Sequence, residues 1–386
     1  MRMAFILARF GRQVLGGAET LAGGLAVEAL RQGWQVQVWT TCATSYSTWR
    51  NDLPPGEDLS EAVPVLRFPV DSWDPAPFHA LSRKLQIRST LPIREQYAWL
   101  ESGPQSMDLY RHVAAHSGEW DAVIVMPYLH SLTYQAAWLA GDRVVMWPCL
   151  HNEIYAYLEP FRLLLESVWG VVFISPEEAA LALDQLHMRI RRFATAGSGV
   201  HLASVSSPST ASGSPYLLYV GRLSEGKNVP LLYDYVARYA DEGGDLRLVV
   251  AGDGPRQPPH HPAFDFRGFV TEEEKARLYA SALALCQPSF NESFSLVLME
   301  SWLAGCPVLV NASCAVTKGH VQRSKGGLWF ANYWEFKEAV DWLQQNSMVA
   351  KQMGGNGRNY VRLNYEWPRV FQRFAAALKS WQKEAA

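Results

Sequence analysis

Short apolar segments alternate with segments of helical periodicity along most of the chain. In the first half, strand-like apolar runs occupy residues 3–7, 36–40, 122–126, 144–147 and 171–174. The first of them is followed by apolar residues at helical spacing over 20–32. Wholly apolar short strands separated by helices are typical of parallel sheets that are covered on both faces. The pattern therefore predicts a doubly wound α/β domain.

The same alternation restarts in the second half of the chain. It predicts strands at 216–220, 246–251, 282–287 and 308–311, and helices at 229–239, 295–304, 347–364 and 367–382. Between the halves, residues 201–215 are rich in Ser, Pro and Gly and almost uncharged, which is typical of a linker. We therefore expect an N-terminal domain over 1–205 and a C-terminal domain over 214–367. The alternative is a long surface loop within one domain, but such loops are uncommon.

Composition restricts the classes of function. The 386 residues include 35 Lys and Arg against 37 Asp and Glu, and this balance argues against a nucleic-acid-binding protein. The five cysteines are dispersed without a C-x-x-C pair, which favours a reducing compartment and argues against a structural zinc site. No apolar stretch is long enough to span a membrane. The expected location is the cytoplasm.

A basic segment makes the inner membrane face a candidate contact. Residues 71–107 carry Arg83, Lys84, Arg88 and Arg94 among apolar residues. This combination is typical of a surface that binds anionic acceptors or lipids. The more frequent interpretation of such a segment is a solvated helix face.

The strongest chemical signal is the segment 288–307, PSFNESFSLVLMESWLAGCP. Its polar start places Glu292 in a loop, and Ser295 is expected to cap the helix that follows. Exposed N–H groups at a helix start attract phosphate. Glu300 then lies about 7 Å along the axis, near the span from a diphosphate to the ribose of one nucleotide. Glu292 is a candidate for binding sugar hydroxyls, although two glutamates at this spacing more often lie on a solvated helix face.

Three further segments place polar groups at the carboxyl ends of predicted strands, where doubly wound sheets bind ligands. The segment LYVGRLSEGKNVPLL supplies Arg222 and Lys227, two cations suited to a diphosphate leaving group. The segment RFGRQVLGGAET supplies Gly16 and Gly17, which allow close approach of the backbone to a ligand. Its lack of G-x-G-x-x-G argues against a dehydrogenase. The segment VVMWPCLHNE places His151 after a buried strand, where a structural histidine is the alternative.

Together these segments resemble glycosyltransferase family 4, of the GT-B fold, over nearly the whole chain. The sharpest marker is the E-x7-E motif formed by Glu292 and Glu300, and VGRLSEGKN and GGAE match two further family segments. The resemblance implies two Rossmann-like domains whose parallel sheets face each other across a cleft. It also implies a final helix, residues 368–386, that crosses back to the N-terminal domain. The N-terminal domain would bind the acceptor and the C-terminal domain the donor.

The resemblance also implies roles for individual residues. Arg222 and Lys227 would neutralise the diphosphate, Glu292 would hold the donor sugar, and Glu300 would bind the ribose. His151 would lie beside the transferred sugar. The remaining implied donor contacts are the first-loop glycines Gly16 and Gly17, the amides of Phe294, Ser295 and Leu296, and Phe269 beside the base. Family members retain the anomeric configuration and need no metal, so neither a metal site nor a cofactor besides the UDP- or GDP-sugar donor is expected.

Two departures from the family pattern narrow the expectation. Ser293 and Ser295 stand where the family often has glycine, and residues 310–330 lack its usual Gly-Gly-x-x-Glu stretch. Some members of such a subgroup are mannosyltransferases, which makes mannose the candidate hexose. The expected function is retaining transfer of a hexose to a glycan, lipid or small-molecule acceptor. The alternatives are another sugar-nucleotide enzyme of the same fold, such as an epimerase or phosphorylase, or a non-catalytic sugar-nucleotide-binding protein.

Overall fold

The computed structural model describes residues 1–14, 16–201 and 215–385. The chain divides into two compact units, one formed by Met1–Gly199 with Trp367–Ala386 and the other by Val200–Glu366. Residues 202–214, most of the predicted linker 201–215, lie outside the described residues, as do the predicted domain limits at 205 and 214.

The N-terminal unit is built on a sheet ordered β3-β4-β2-β1-β5-β6-β7-β8. Its strands are β1 (Arg2–Ile6), β2 (Gln35–Thr41), β3 (Gly56–Asp58), β4 (Val65–Phe68), β5 (Ala122–Val125), β6 (Val144–Met146), β7 (Gly170–Phe173) and β8 (Phe193–Thr195). The pairs are parallel except β3 with β4, an antiparallel edge that the apolar pattern did not predict. The central strands are buried on both faces, which is why they read as continuous apolar runs.

Helices cover this sheet. They are α1 (Gly17–Arg31), α2 (Pro75–Arg88), α3 (Ile93–Glu101), α4 (Met107–His116), α5 (Ser131–Ala140), α6 (Glu159–Ser167), α7 (Pro176–Ala180) and, from the end of the chain, α14 (Trp367–Ala385). The last helix packs on the N-terminal unit, where the Trp367 ring lies against Gly24 and Gly199. A Cβ atom at Gly24 would lie 1.8 Å from that ring, so glycine makes this contact possible.

The C-terminal unit has a parallel sheet ordered β11-β10-β9-β12-β13-β14. Its strands are β9 (Tyr216–Val220), β10 (Arg247–Ala251), β11 (Phe264–Gly268), β12 (Ala284–Gln287), β13 (Val308–Asn311) and β14 (Gly327–Phe330). Its helices are α8 (Val229–Asp241), α9 (Glu272–Ser281), α10 (Leu296–Ala304), α11 (Ala315–Ser324), α12 (Tyr333–Gln345) and α13 (Ser347–Asn364). The strands predicted in this half are present, with shifts of one or two residues at their ends.

The strand order defines a switch point in each unit. In the N-terminal unit the order reverses between β1 and β5, and in the C-terminal unit between β9 and β12. Loops that leave the carboxyl ends of such neighbouring strands diverge and form a crevice that binds ligands. Among the described helices, none is both long enough and apolar enough to cross a membrane.

Candidate active site

The centre of the candidate site lies at the switch point of the C-terminal unit. Lys227, from the loop after β9, donates from Nζ to Glu292 Oε1 at 2.7 Å. Gln287, the last residue of β12, donates to the same oxygen at 2.8 Å. Glu292 is buried in the loop between β12 and α10, as the sequence predicted for its loop position. Two residues that are 65 positions apart therefore form one charged pair at the carboxyl edge of the sheet.

The start of α10 differs from the sequence prediction in one respect. Ser295 occupies the N-cap position, but its side chain makes no capping hydrogen bond. Its φ of +72° is in the left-handed region, whereas a capping side chain requires an extended backbone. The prediction of a Ser295 cap is therefore wrong. The Ser295 Oγ atom is buried and has no partner among the described residues, and the same holds for Gln287 Oε1.

This geometry leaves unused donors at the start of α10. The first N–H groups of a helix have no acceptor within it, and no backbone acceptor within the described part of the chain pairs with those of Phe294, Ser295 and Leu296. The Phe294 ring is buried and packs edge-on against His320 and Tyr365, so its side chain faces away from a ligand. The backbone amides, together with the helix dipole, favour an anion at this point.

Glu300 lies five residues into α10 and has two partners from α9. Lys275 donates from Nζ to Glu300 Oε1 at 3.2 Å, and the Tyr279 hydroxyl donates to Oε2 at 3.0 Å. Both charged side chains are only 14% exposed. Burial raises the pKa of Glu300, while the ammonium of Lys275 acts in the opposite direction. A carboxylate held in this way can accept hydrogen bonds from neighbouring hydroxyl groups.

Arg222 lies in a loop that glycines hold in place. The loop after β10, residues 251–254, bonds to the loop after β9, with the Leu223 N–H donating to the Asp253 carbonyl at 2.9 Å. A Cβ atom at Gly252 would lie 1.9 Å from the Gly221 carbonyl oxygen, at a φ of +144°. Only glycine fits there. The exposed Arg222 side chain is thereby held at the carboxyl edge of β9.

Phe269 follows the neighbouring edge strand β11. Its ring is 71% exposed. The preceding residue, Gly268, turns the chain with a φ of +62°. An exposed ring at the carboxyl edge of a strand provides a flat surface on which a nucleobase can stack.

The glycine loop of the N-terminal unit is shaped by a buried carboxylate. Glu19 accepts hydrogen bonds from Arg9 at 2.8 Å and from the Tyr46 hydroxyl at 2.9 Å. A Cβ atom at Gly16 would lie 2.0 Å from Glu19 Oε2, whereas a Cβ atom at Gly17 would meet nothing within 4 Å. Gly16 is therefore required by packing, and Gly17 starts α1 beside open space.

His151 lies in the turn that follows β6, residues 147–153, and is partly exposed. Its Nδ1 atom is 3.7 Å from Glu153 Oε1. The turn is held by the buried Glu178, which accepts from the Leu150 N–H and the Ile174 N–H, both at 2.5 Å. Burial raises the pKa of Glu178 to about 7, and the two N–H groups act against that rise. The described contacts thus fix the backbone next to His151.

The sequence analysis missed several residues of these sites. Lys275 and Tyr279 lie on the amphipathic helix α9, and nothing in their spacing connects them to Glu300, 25 and 21 residues away. Likewise, no motif around Glu178 connects it to the turn that carries His151. The glycines of AGDGP, residues 251–255, did carry a signal, because two glycines before a proline directly after a buried strand indicate a tight loop at the ligand edge.

Comparison with known proteins agrees with the geometry. Residues 205–360 match the family described as "Glycosyl transferases group 1", which places this resemblance in the C-terminal unit. The chain is 37% identical over 109 residues to the GDP-mannose-dependent alpha-(1-6)-phosphatidylinositol dimannoside mannosyltransferase of Mycobacterium tuberculosis. That match covers 26% of this chain and only 28% of the relative's length.

Solved structures share the fold over the whole chain. Sucrose-phosphate synthase from Thermosynechococcus elongatus has a TM-score of 0.74 at 17% identity and covers 100% of both chains. HepE from Anabaena, in complex with UDP, has a TM-score of 0.72 at 15% identity and covers 98% of this chain and 100% of its own. The expected α/β architecture of the GT-B type, with two domains built on parallel sheets, is confirmed.

Proposed function

We propose that this protein is a glycosyltransferase that moves a hexose from a nucleotide diphosphate sugar to an acceptor and retains its anomeric configuration. The observation that carries the proposal is the Lys227–Glu292 pair at the switch point, directly before the start of α10, where the amides of Phe294, Ser295 and Leu296 have no backbone acceptor among the described residues. A sugar diphosphate can be bound by three such groups: a cation and a helix start for the diphosphate, and a carboxylate for the hydroxyls of the sugar. The group 1 family match over 205–360 supports the same interpretation.

In this proposal each donor group has a partner in the C-terminal unit. The diphosphate is bound by Arg222, Lys227 and the amides of Phe294, Ser295 and Leu296. Glu292 binds hydroxyls of the sugar, Glu300 binds the ribose, and Phe269 stacks on the base. In the structure Lys227 donates a hydrogen bond to Glu292. A diphosphate competes for the lysine, and the hydroxyls of the sugar take its place on the carboxylate.

The chemistry follows from these contacts. The bond between the anomeric carbon and the donor phosphate oxygen breaks while the acceptor oxygen attacks from the same face. The acceptor proton passes to the leaving diphosphate, whose growing charge Arg222 and Lys227 stabilise. We assign His151 to a place beside the transferred sugar and its acceptor, and we keep the first-loop glycines Gly16 and Gly17 as donor contacts. No cofactor or metal enters this scheme.

The donor is a UDP- or GDP-sugar. The structural relative HepE was solved with UDP, and the mycobacterial relative is named as GDP-mannose-dependent. The proposal keeps mannose as the candidate sugar on the strength of the second name. Either base can stack on an exposed ring such as Phe269, so this contact does not select one of the two donors.

A thermal-shift panel tests the donor assignment. The full chain is heated with UDP-, GDP-, ADP- and TDP-sugars, with magnesium and with EDTA. We expect one base to raise the melting temperature in both conditions, and Glu300→Ala to abolish the rise. Trp334→Ala, an exposed change elsewhere in the same unit, should leave it intact. Absence of stabilisation by every sugar nucleotide would refute the donor site.

We also propose that the α2–α3 hairpin contacts the inner membrane face. Ile87 is 83% exposed near its tip, with the exposed Arg83, Arg88 and Arg94 close by in sequence. Exposed apolar and basic residues together favour an anionic lipid surface. The full chain should co-sediment with vesicles that contain anionic lipid. Arg83→Glu with Arg88→Glu should release it, whereas Arg111→Glu on α4 should not, and binding unaffected by the pair would refute this contact.

A further inference from the structure

A cavity of about 570 Å³ lies in the N-terminal unit, between the loops that follow β2 and β4. Its size is within the range of roughly 300–1,000 Å³ that is typical of small-molecule sites. One side chain joins the two loops: the Asn51 amide donates to the Val70 carbonyl at 2.9 Å and accepts from the Val70 N–H at 2.8 Å. These two hydrogen bonds hold the two walls of the cavity together.

Aromatic side chains form much of the lining. They are Tyr46, Trp49, Trp73 and Phe78. Phe78 is stacked on the buried Trp99, with ring centroids 5.3 Å apart, so this wall is backed by the core. Trp49 has a φ of +52°, a left-handed conformation that is rare for a bulky residue and is found preferentially at ligand-binding positions.

The polar lining is rich in hydroxyl groups and balanced in charge. Ser47, Thr48 and Ser72 supply hydroxyls, the charged side chains are Arg50 and Asp71, and His79 lines the cavity from an exposed position. Arg50 lies 3.6 Å from Asp52, and one Asp71 oxygen accepts from the Met107 N–H at 2.9 Å, so each charge already has a partner. A lining of this kind gives no net attraction for a phosphate or a carboxylate.

We propose that this cavity binds a neutral saccharide unit of the acceptor. A pyranose ring has an apolar C–H face, which packs on aromatic rings, and an edge of hydroxyls, which bonds to side chains such as those of Ser47 and Ser72. Among the described lining residues, an anionic ligand would find only the solvent-exposed side chains of Arg50 and His79 as basic partners, and a purely apolar ligand would bury the polar lining. That the bound sugar is the acceptor rests on the proposed function. That the cavity binds a neutral sugar does not depend on that function.

Saturation-transfer NMR on the full chain tests the site. The probes are methyl α-D-mannopyranoside and methyl α-D-glucopyranoside, with glucose 1-phosphate as the charged counterpart. We expect the neutral probes to bind with a dissociation constant on the order of 1 mM, and more tightly than the phosphate. Excess UDP and GDP are present throughout, so that a sugar held at the donor site does not contribute.

Two variants act on the cavity in opposite ways. Trp73→Ala removes a stacking face, and Ser72→Trp fills the cavity from an exposed position that the fold does not need. Each should weaken binding at least tenfold, whereas Trp138→Ala, an exposed tryptophan on α5 outside the cavity, should leave it unchanged. Unchanged binding in Ser72→Trp, preference for glucose 1-phosphate, or no binding of either neutral probe would overturn the proposal. The nucleotide panel fails or succeeds independently of these results.

Discussion

Replacing Lys275 by methionine should make nucleotide binding depend on pH. Lys275 and Glu300 are both largely buried, with 3.2 Å between Nζ and Oε1. At an effective dielectric constant of about 20, two unit charges at this distance attract each other by about 5 kcal/mol. Much of this attraction only offsets the free energy of removing the two charges from water. Removing one partner of such a buried pair lowers the free energy of unfolding by about 3–5 kcal/mol. Methionine keeps the length of the side chain and removes the charge.

The consequence follows from the pKa of Glu300. Burial already raises that pKa, and without the ammonium it rises further. Between the ordinary pKa of Glu300 and its raised pKa in the folded variant, the carboxyl group is ionised in the unfolded chain but protonated in the folded one. The stability of Lys275→Met therefore falls as pH rises through this range. Ribose hydroxyls bind best to the carboxylate. Affinity in the variant should therefore fall by up to about tenfold for each pH unit below the raised pKa.

Calorimetric titration of UDP and GDP between pH 6 and pH 9 measures this effect. The loss of affinity in Lys275→Met should begin at a higher pH than any loss in the wild type. Lys275→Met combined with Glu300→Gln should bind weakly and keep only the pH dependence of the nucleotide's own terminal phosphate, because no carboxylate remains at position 300. Lys337→Met, which breaks the more exposed pair with Glu242, is the matched control and should behave as the wild type. Parallel pH profiles for the wild type and Lys275→Met would refute the reasoning.

Three further predictions concern positions that hold the loops. Glu178→Gln should remove a pH dependence of stability. The folded-state pKa of Glu178, about 7, lies above its unfolded value, so the stability of the wild type should fall as pH rises from about 4.5 to 7. Urea unfolding should show this slope in the wild type and not in the variant. Gly16→Ala should destabilise through its clash with Glu19, whereas Gly17→Ala should stabilise α1 by about 0.5–1 kcal/mol; equal melting temperatures for the two would contradict the assignment. Gly252→Ala should lower the melting temperature by several degrees because its Cβ would meet a backbone oxygen, and an unchanged value would show that the loop can move away.

The elements that sequence analysis predicted well are the ones whose burial is complete. Strands such as β9 (Tyr216–Val220) and β13 (Val308–Asn311) have the predicted bounds because wholly apolar runs between loop residues leave little choice of register. For residues 71–107 the sequence indicated only a solvated helix face, and it gave no bounds for α2 and α3, because much of each helix faces solvent. In α2 only Leu85 is buried, so it has no clear apolar stripe.

In the candidate site, sequence analysis predicted the residues of one continuous segment but not their partners from another helix. Local spacing placed Glu292 in its loop and Glu300 on α10, because strand, loop and helix succeed one another along the chain. The partners Lys275 and Tyr279 come from another helix, and only the tertiary fold brings them to Glu300. The backbone of Ser295 is a further case, since serine at a helix start usually signals a cap, whereas here the turn from β12 into α10 imposes a left-handed residue.

Release of nucleoside diphosphate shows whether this protein transfers the sugar of its donor. The sugar nucleotide that stabilises the wild type is incubated with the full chain, with and without methyl glycosides as acceptors, and free diphosphate is measured over time. The account predicts that acceptor accelerates release in the wild type. Lys227→Met and Glu292→Gln should lower the rate by at least about a hundredfold, as expected for groups that stabilise the transition state, while the fold remains intact. Equal rates in the wild type and Lys227→Met, or binding without any release, would contradict it and favour a protein that binds sugar nucleotides without turning them over.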